Sequence, residues 1–367
     1  MPKKGVYDYN LLMIVTILLA IGIVMVFSAS SVSAYFKMGD PYYFLKRQLL
    51  WGALGYVVMI FFMNYDYWKL KKFSNITLLI TICLLVAVLI PGIGIEINEA
   101  KRWIGFGGLT IQPSEIAKIG IVLYMSTSLE NGGKDKLNNF FKGLVPYLVL
   151  LGVIFILIVM EPNLSTAGII LIVGLVILYT AGAKISHIVF LVFSGVGLAA
   201  SLIASNAYKH WQERIFGFLD PWSDVSDTTF QIVQSLYALG SGGLFGTGLG
   251  KSREKLLYLP EPQNDFIFSI IGEELGFIGA SIIVVLFIAL IIRGLRIAAR
   301  SQDLFAVLMA TGITSLIGIQ ALMNIAVVTS SMPVTGVPLP FISAGGSSMV
   351  FTMAGVGILL NISRYIE

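Results

Sequence analysis

The residue of this chain best placed to do chemistry is Asp265, which closes the polar run Leu259–Asp265. Apolar sequence follows to about Ile292 and is interrupted by Glu273 and Glu274. A carboxylate where a loop enters a membrane helix can act as a general base on a substrate held at the interface. Aspartate is also a good N-cap residue, so the alternative interpretation is an ordinary helix cap.

Basic residues that could bind a phosphorylated group precede Asp265. The glycine-rich run 240–252 leads into Lys251, Arg253 and Lys255. Glycine-rich backbone N–H groups beside such cations can hold a diphosphate. A nucleotide site is not expected, because the first glycine of a phosphate loop would fall at Phe245. The alternative is a flexible turn with basic residues at the membrane interface.

Glu273 follows Asp265 by two helical turns, with Ser269 between them, so the three are expected on one helix face. Glu274 should point about 100° away from Glu273 and therefore have different partners. Intramembrane carboxylates are costly and are candidates for function, which makes Glu273 a candidate substrate-binding residue. Pairing of either glutamate with a cation is the structural alternative.

Two further polar pairs interrupt apolar sequence. Glu115 and Lys118 are three residues apart, which favours an ion pair that partly neutralises both charges. Gln320 and Asn324 are four apart and predict either hydrogen bonds between helices or a polar cavity. The histidines are isolated, so no residue motif specifies a metal. A divalent cation, Mg²⁺ or Mn²⁺, held by carboxylate and diphosphate remains an open alternative.

The elements that must position these residues are membrane helices. Hydrophobic residues make up 57% of the chain and charged residues 12%, about half the usual charged share of soluble domains. The apolar runs are continuous rather than alternating, which favours helices over a barrel. An all-α polytopic membrane protein with about ten transmembrane helices is predicted, at 9–29, 48–64, 73–91, 112–129, 144–160, 164–181, 187–205, 265–292, 303–328 and 345–361.

The whole chain, 1–367, is predicted to be a single integral membrane domain. Basic residues of the short loops, such as Lys69, Lys71 and Lys72, favour both termini inside. The segments 92–112, 206–264 and 329–344 then lie outside, and 206–264 is a large extracytoplasmic loop. The net charge of +4 reflects this bias and gives no reason to expect nucleic acid as a partner.

Motifs along nearly the whole chain resemble the SEDS family (shape, elongation, division and sporulation), which includes RodA, FtsW and SpoVE, and the sequence looks closer to FtsW and SpoVE. The matching segments are Lys46–Gln48, Arg102–Ile104, Gln112–Glu115, Phe230–Ser235, Tyr258–Glu261, Asp265–Phe268, Glu273–Gly276 and Pro333–Ser348.

The resemblance implies a ten-helix peptidoglycan glycosyltransferase. Such an enzyme polymerises lipid II into nascent glycan on the outer face of the bacterial cytoplasmic membrane, with a class B penicillin-binding protein as crosslinking partner. The essential aspartate of the family falls on Asp265. The resemblance also implies that Arg102, Glu115, Lys118 and the segment Pro333–Ser348 line the substrate cavity, and within that segment Ser343 and Ser347 are candidate substrate-binding residues.

The substrate-binding prediction also includes Lys251, Arg253, Lys255, Glu273 and Asn324. Two alternatives remain open beside glycosyl transfer. A lipid II flippase would use a polar path through Glu115, Lys118, Glu273 and Asn324, whereas a scaffold would only recruit the partner.

The chain departs from the family pattern at two positions. Asn163 stands where the family often has aspartate, in Pro162–Thr166, so a charged role there is in doubt. Ala344 stands where the family often has tyrosine, so any contact by that ring is lost.

Overall fold

The structure is a computed structural model that describes residues 5–97, 100–106, 109–132, 137, 139–204, 212, 217–222, 229–256 and 258–366. Its helices are α1 (Tyr9–Met38), α2 (Tyr43–Asn64), α3 (Ser74–Leu89), α4 (Pro113–Gly132), α5 (Val145–Met160), α6 (Leu164–Thr180), α7 (Ile185–Ala204), α8 (Phe230–Gly242), α9 (Ile267–Arg300), α10 (Leu304–Val328) and α11 (Gly346–Ser363). A 3₁₀ turn, Tyr67–Phe73, leads into α3, and a π turn, Phe140–Leu144, leads into α5.

Each of the ten predicted membrane stretches coincides with one of these helices. Within the described residues, seven helical segments are long and apolar enough to cross a membrane, and α6 and the start of α7 are shorter apolar helices. Of the helices at the ten predicted stretches, this leaves α4, which has spanning length but carries Glu115, Lys118 and Glu130. The predicted helical polytopic fold is confirmed.

The two ends of the chain lie together. The Gly5 amide donates to the Arg364 carbonyl (2.7 Å), and the Asp8 amide donates to the Ser363 hydroxyl (3.0 Å). Arg293, near the end of α9, lies 3.8 Å from the Asp8 carboxylate. Because α9 begins just after Asp265, this aspartate lies at the end of the bundle opposite both termini. Which end faces the cytoplasm stays a prediction from the basic residues.

The predicted loop 92–112 contains an antiparallel sheet of β1 (Gly94–Ile97), β2 (Ala100–Phe106) and β3 (Leu109–Ile111), in that order. Ile95 pairs with Trp103, and a bulge follows before Glu96. The strands are short and follow no helix-length hydropathy signal, so the sequence predicted only a loop here. The sheet matters to the site because β2 carries Arg102.

The predicted loop 206–264 also contains regular structure, since α8 lies inside it. The Ser235 hydroxyl of α8 donates to the Val328 carbonyl of α10 and lies 2.7 Å from the Ser269 hydroxyl of α9. α8 is therefore packed into the helix bundle. Residues 205–211, 213–216, 223–228 and 257 of this region lie outside the described residues.

α9 is interrupted at Gly276, whose φ of 68° and ψ of −171° are non-helical. The glycine-rich segment 243–248 enters the gap and satisfies the backbone groups that the break exposes. The amides of Thr247 and Gly248 donate to the carbonyls of Glu273 and Glu274 at 2.9 and 3.0 Å. On the other side of the break, the Phe277 amide donates to the Gly243 carbonyl at 2.9 Å. A broken helix at membrane depth is tolerated where protein supplies such partners.

This close approach explains the glycines. A Cβ on Gly246 would lie 2.2 Å from the Glu274 carbonyl oxygen, and one on Gly276 would lie 2.3 Å from the Gly246 nitrogen. Both residues also have positive φ, which disfavours other residue types. The segment 243–248, called the glycine wedge below, thus fills the break in α9.

Candidate active site

Asp265 does not cap α9, so the cap interpretation is wrong. The helix begins at Ile267, its N-cap residue is Phe266, and no side chain caps it. Among the hydrogen bonds of the described residues, none reaches the Asp265 carboxylate. Its Oδ2 atom lies beside Gly336, where an added Cβ would be 3.4 Å away. The carboxylate is half-buried and free to accept a proton from a substrate.

The backbone around Asp265 is tightly held. The Asn324 side-chain amide donates to the Asp265 carbonyl (2.7 Å) and to the Val337 carbonyl (2.8 Å). The Ser343 hydroxyl donates to the Asn264 carbonyl (2.7 Å). Asn324 and Ser343, predicted to bind substrate, therefore bind the loop that carries the aspartate. Such fixed backbone is the preorganisation that a catalytic group needs.

Ala344, at the departure from the family pattern, belongs to the same clamp. Its amide donates to the Gln263 carbonyl (2.9 Å), a bond that needs no particular side chain. Ser347, the second serine predicted to bind substrate, lies at the start of α11 and accepts a hydrogen bond from the Gln112 amide (3.4 Å). It links α11 to the strand that precedes α4.

Arg102 is the cation that the fold brings toward Asp265. Its Nε donates to the Glu161 carbonyl (3.0 Å), and a second guanidinium nitrogen donates to the Pro162 carbonyl. Burial raises the pKa of Asp265 to about 6, with a further rise from Glu261, and the charge of Arg102 opposes this. A carboxylate with a pKa near the working pH is suited to general base catalysis.

Glu161, which directly follows α5, is a candidate site residue that no motif in the sequence identified. It is fully buried, and neither carboxyl oxygen has a hydrogen-bond partner within the described residues. Burial raises the pKa of Glu161 to about 8 against the opposing charge of Arg102. The raised pKa favours the neutral form of this side chain, which does not compete with an anion for the charge of Arg102. The sequence signal that could have identified Glu161 is a carboxylate directly after an apolar run.

Asn163 needs no charge where it lies. Its side-chain oxygen accepts a hydrogen bond from the Thr166 amide at the start of α6 (3.4 Å), and its amide donates to the Ser114 hydroxyl (3.4 Å). An asparagine serves both as helix cap and as donor, whereas an ionised aspartate could only accept.

Glu273 and Glu274 do not join Asp265, although one helix face had been predicted for Asp265 and Glu273. Glu273 accepts hydrogen bonds from the Ser252 hydroxyl (2.5 Å) and the Arg253 amide (2.7 Å). Glu274 forms a buried ion pair with Lys255 (2.8 Å) and accepts a hydrogen bond from the Ser28 hydroxyl of α1 (2.6 Å). The prediction that Glu273 and Glu274 have different partners is confirmed. Both carboxylates are bound within the protein.

Several backbone amides of the glycine-rich run, which was predicted to bind a diphosphate, are engaged within the protein, and diphosphate binding there stays a prediction. The amides of Gly246, Thr247, Gly248 and Lys251 donate to carbonyls of the protein, and the Ser252 amide donates to Glu274 (3.3 Å). A binding loop needs these donors free. The wedge uses them to complete the broken helix.

Glu115 and Lys118 form the expected ion pair, at 2.8 Å, and both side chains are only 5% exposed. With Gln320 and Thr352 they line a cavity of about 10 Å³, which is room for roughly one water molecule. The ion pair lies within α4 itself, and the role of Glu115 and Lys118 in substrate binding stays a prediction. Within the described residues, no group of three or more metal-ligating side chains is present.

The chain matches the family model described as cell cycle protein, that of FtsW, RodA and SpoVE, over residues 9–367. Stage V sporulation protein E of Bacillus subtilis (strain 168) is 46% identical over 363 residues, which cover 99% of this chain and 98% of that protein. A probable peptidoglycan glycosyltransferase FtsW of Geobacter sp. (strain M18) is 44% identical, with 97% and 96% covered.

Solved structures are similar over nearly the full length. A chain from a peptidoglycan synthase complex that coordinates polymerization and crosslinking superposes with a TM-score of 0.81 at 27% identity and covers 98% of both chains. The rod shape determining protein RodA of Thermus thermophilus superposes with a TM-score of 0.71 at 27% identity, again with 98% of each chain covered.

Proposed function

Since the chain belongs to the FtsW, RodA and SpoVE family of cell cycle proteins, we propose that it is a peptidoglycan glycosyltransferase that polymerises lipid II. The reaction takes place on the outer face of the bacterial cytoplasmic membrane. The observation that carries the proposal is the partner-free carboxylate of Asp265, on a clamped loop beside Arg102.

In the proposed reaction, the 4-hydroxyl of an acceptor GlcNAc attacks the anomeric carbon of a donor MurNAc. Asp265 takes the hydroxyl proton as the new glycosidic bond forms. The bond between the anomeric carbon and the diphosphate breaks, and its electron pair leaves with undecaprenyl diphosphate. Arg102 stabilises the negative charge of this leaving group.

Of the two described carboxyl groups near Arg102, Asp265 can act as a base, whereas Glu161 is buried and its raised pKa favours the neutral form, so it offers no nucleophile. This favours direct displacement with inversion at the anomeric carbon. A divalent cation, Mg²⁺ or Mn²⁺, would have to take Asp265 and the diphosphate oxygens as ligands. Hard oxygen ligands of this kind suit either ion.

The proposed partner is a class B penicillin-binding protein. The similar chain from the peptidoglycan synthase complex supports this, because that complex coordinates polymerization with crosslinking. A partner could bias the segments that hold Asp265, and the predicted moving parts are the loops 206–264 and 329–344.

The flippase alternative is weaker than the sequence suggested. Glu115 and Lys118 neutralise each other beside a cavity of about 10 Å³. Glu273 is saturated by residues 252 and 253, and Asn324 is bound to backbone carbonyls. These four residues have separate partners and do not form a polar path.

The test is polymerisation of labelled lipid II by the purified protein, with and without a candidate class B partner, analysed as glycan ladders on a gel. Asp265→Ala should give no ladder. Asp40→Asn, which removes a partly exposed carboxylate paired with Lys46, should give the wild-type ladder. Ladders from Asp265→Ala would exclude Asp265 as the base, and their absence from every variant with partner bound would favour the flippase.

A further inference from the structure

A groove separate from Asp265 lies between residues 24–32 of α1 and the segment 249–256. It encloses about 500 Å³. Its α1 wall is formed by Val24, Phe27, Ser28, Ser31 and Val32, which share one helix face. Its other wall carries Leu249 and Leu256 together with the basic residues of the segment. The lining residues thus include apolar and cationic side chains but no carboxylate.

Two of the three basic side chains in this groove are available to a ligand. Lys255 is buried and paired with Glu274. Lys251 and Arg253 are exposed, and no described residue forms an ion pair or hydrogen bond with either side chain. Their backbone is nevertheless fixed, because the Lys251 amide donates to Gly248 (3.1 Å) and the Arg253 amide to Glu273 (2.7 Å). Among the described residues, Lys251 and Arg253 are thus exposed cations without an ion-pair partner, carried on a hydrogen-bonded backbone.

The depth of the groove matches the membrane surface. Asp8 caps the charged end of α1, where it meets Arg293. Ser28, which contacts Lys255 across the groove at 3.3 Å, lies twenty residues further along α1, or about 30 Å. This is roughly the thickness of the hydrocarbon core, ~30 Å. Lys251 and Arg253 therefore lie at the level of lipid head groups, while the apolar α1 face extends inward beside the acyl region.

The groove lies deeper in the membrane than Asp265, by about the length of the first two turns of α9. The helix segment from Ile267, two residues after Asp265, to Glu274 is about 10 Å long, and Glu274 binds the segment that carries the cations. Two of the cationic positions at this end, Arg102 and the Lys251–Arg253 pair, thus differ in their distance from the base.

Polymerisation makes different demands on its two lipid-linked substrates. The donor reacts at the carbon that carries its diphosphate, so the donor diphosphate must lie next to Asp265. The acceptor reacts at its far sugar, so its diphosphate must lie one disaccharide away from Asp265. We propose that the groove of Lys251, Arg253 and α1 binds the diphosphate and first isoprene units of the acceptor lipid II, whereas Arg102 serves the donor. This assignment rests on the proposed glycosyl transfer.

The decisive variant is Lys251→Gln/Arg253→Gln, which keeps polar side chains and removes both charges. Loss of two charge-assisted contacts should raise the KM for lipid II by about tenfold or more, with little change in kcat. Ser31→Trp, which fills the groove without changing charge, should raise KM in the same way. Lys37→Gln removes an exposed cation at the same end of α1 and is the matched control, with unchanged KM.

Binding is measured separately from turnover, so that failure of the groove and failure of the proposed reaction can be told apart. Labelled lipid II is bound to Asp265→Asn protein in nanodiscs, with and without the Lys251→Gln/Arg253→Gln change, and with phosphatidylglycerol as competitor. Binding weakened about tenfold by the change and resistant to phosphatidylglycerol would support the proposal. Equal binding by both proteins, or displacement by phosphatidylglycerol, would overturn it, even if no ladder is ever seen.

Discussion

Asp265 and the pair Glu273–Glu274 lie within about 15 Å of chain along the start of α9, yet their surroundings are opposite. Asp265 has a bound backbone and a free carboxylate. The two glutamates have carboxylates that are buried and fully engaged with residues 252–255 and Ser28. The comparison teaches that partners, rather than residue type or helix position, separate a reactive carboxylate from a structural one in this protein.

The largest expected effect comes from removing the free carboxylate. Asp265→Asn keeps the shape and removes the base, so polymerisation should fall by about 10²–10⁴-fold. The thermal unfolding midpoint should stay at the wild-type value, because no described side chain depends on this carboxylate. Lipid II consumption and the unfolding midpoint in detergent are measured together. A large fall in the midpoint would contradict the comparison.

Removing a carboxylate whose oxygens are all hydrogen-bonded or ion-paired within the protein should instead lower stability. Glu274→Gln leaves Lys255 charged and buried without its partner, which should cost about 3–5 kcal/mol of stability. Unfolding in detergent by denaturant is the measurement. Replacing both partners, Glu274→Gln/Lys255→Met, should recover much of the loss, because the uncompensated charge is then gone. A single variant as stable as wild type would show that the pair does not hold segment 249–256.

The sequence predicted the helices because membrane spans depend on local hydropathy. It also predicted the Glu115–Lys118 pair, whose members are three residues apart. The partners of Glu274 could not be predicted, since Lys255 precedes it by 19 residues and Ser28 by 246. The glycine wedge was missed for the same reason, because its amides complete a helix break some 30 residues away. Asp265 was placed at the mouth of a helix, but its helix starts later than expected.

The clamp on Asp265 gives an intermediate effect. Asn324→Ala removes two hydrogen bonds to the carbonyls of Asp265 and Val337, each of which contributes about 1 kcal/mol. We expect kcat to fall about tenfold with KM nearly unchanged, because a misplaced base affects the transition state more than binding. Gln320→Ala, one turn earlier on the same helix, is the control. A raised KM at constant kcat would instead indicate that Asn324 binds substrate.

The smallest expected effect concerns pH and extends the comparison to Glu161. The rate constant kcat/KM should rise with pH through about 6, as Asp265 loses its proton and becomes the active base. It should fall again through about 8, as Glu161 ionises and neutralises Arg102. The fall should be a few-fold only, because Arg102 remains in place and only its field on the diphosphate is weakened.

Glu161→Gln separates the two limbs of this profile. Glutamine keeps the neutral shape at every pH, so the alkaline fall should disappear while the rise through about 6 remains. A second variant, Glu96→Gln, is the control. It removes an exposed carboxylate from the sheet that carries Arg102, 3.8 Å from Lys101, and should leave both limbs intact. If the alkaline fall persists in Glu161→Gln, another group causes it, and Glu161 is then only a buried neighbour. If the acid limb moves instead, Glu161 and Asp265 are coupled through Arg102, and the contrast between free and engaged carboxylates has to be redrawn to include all three residues.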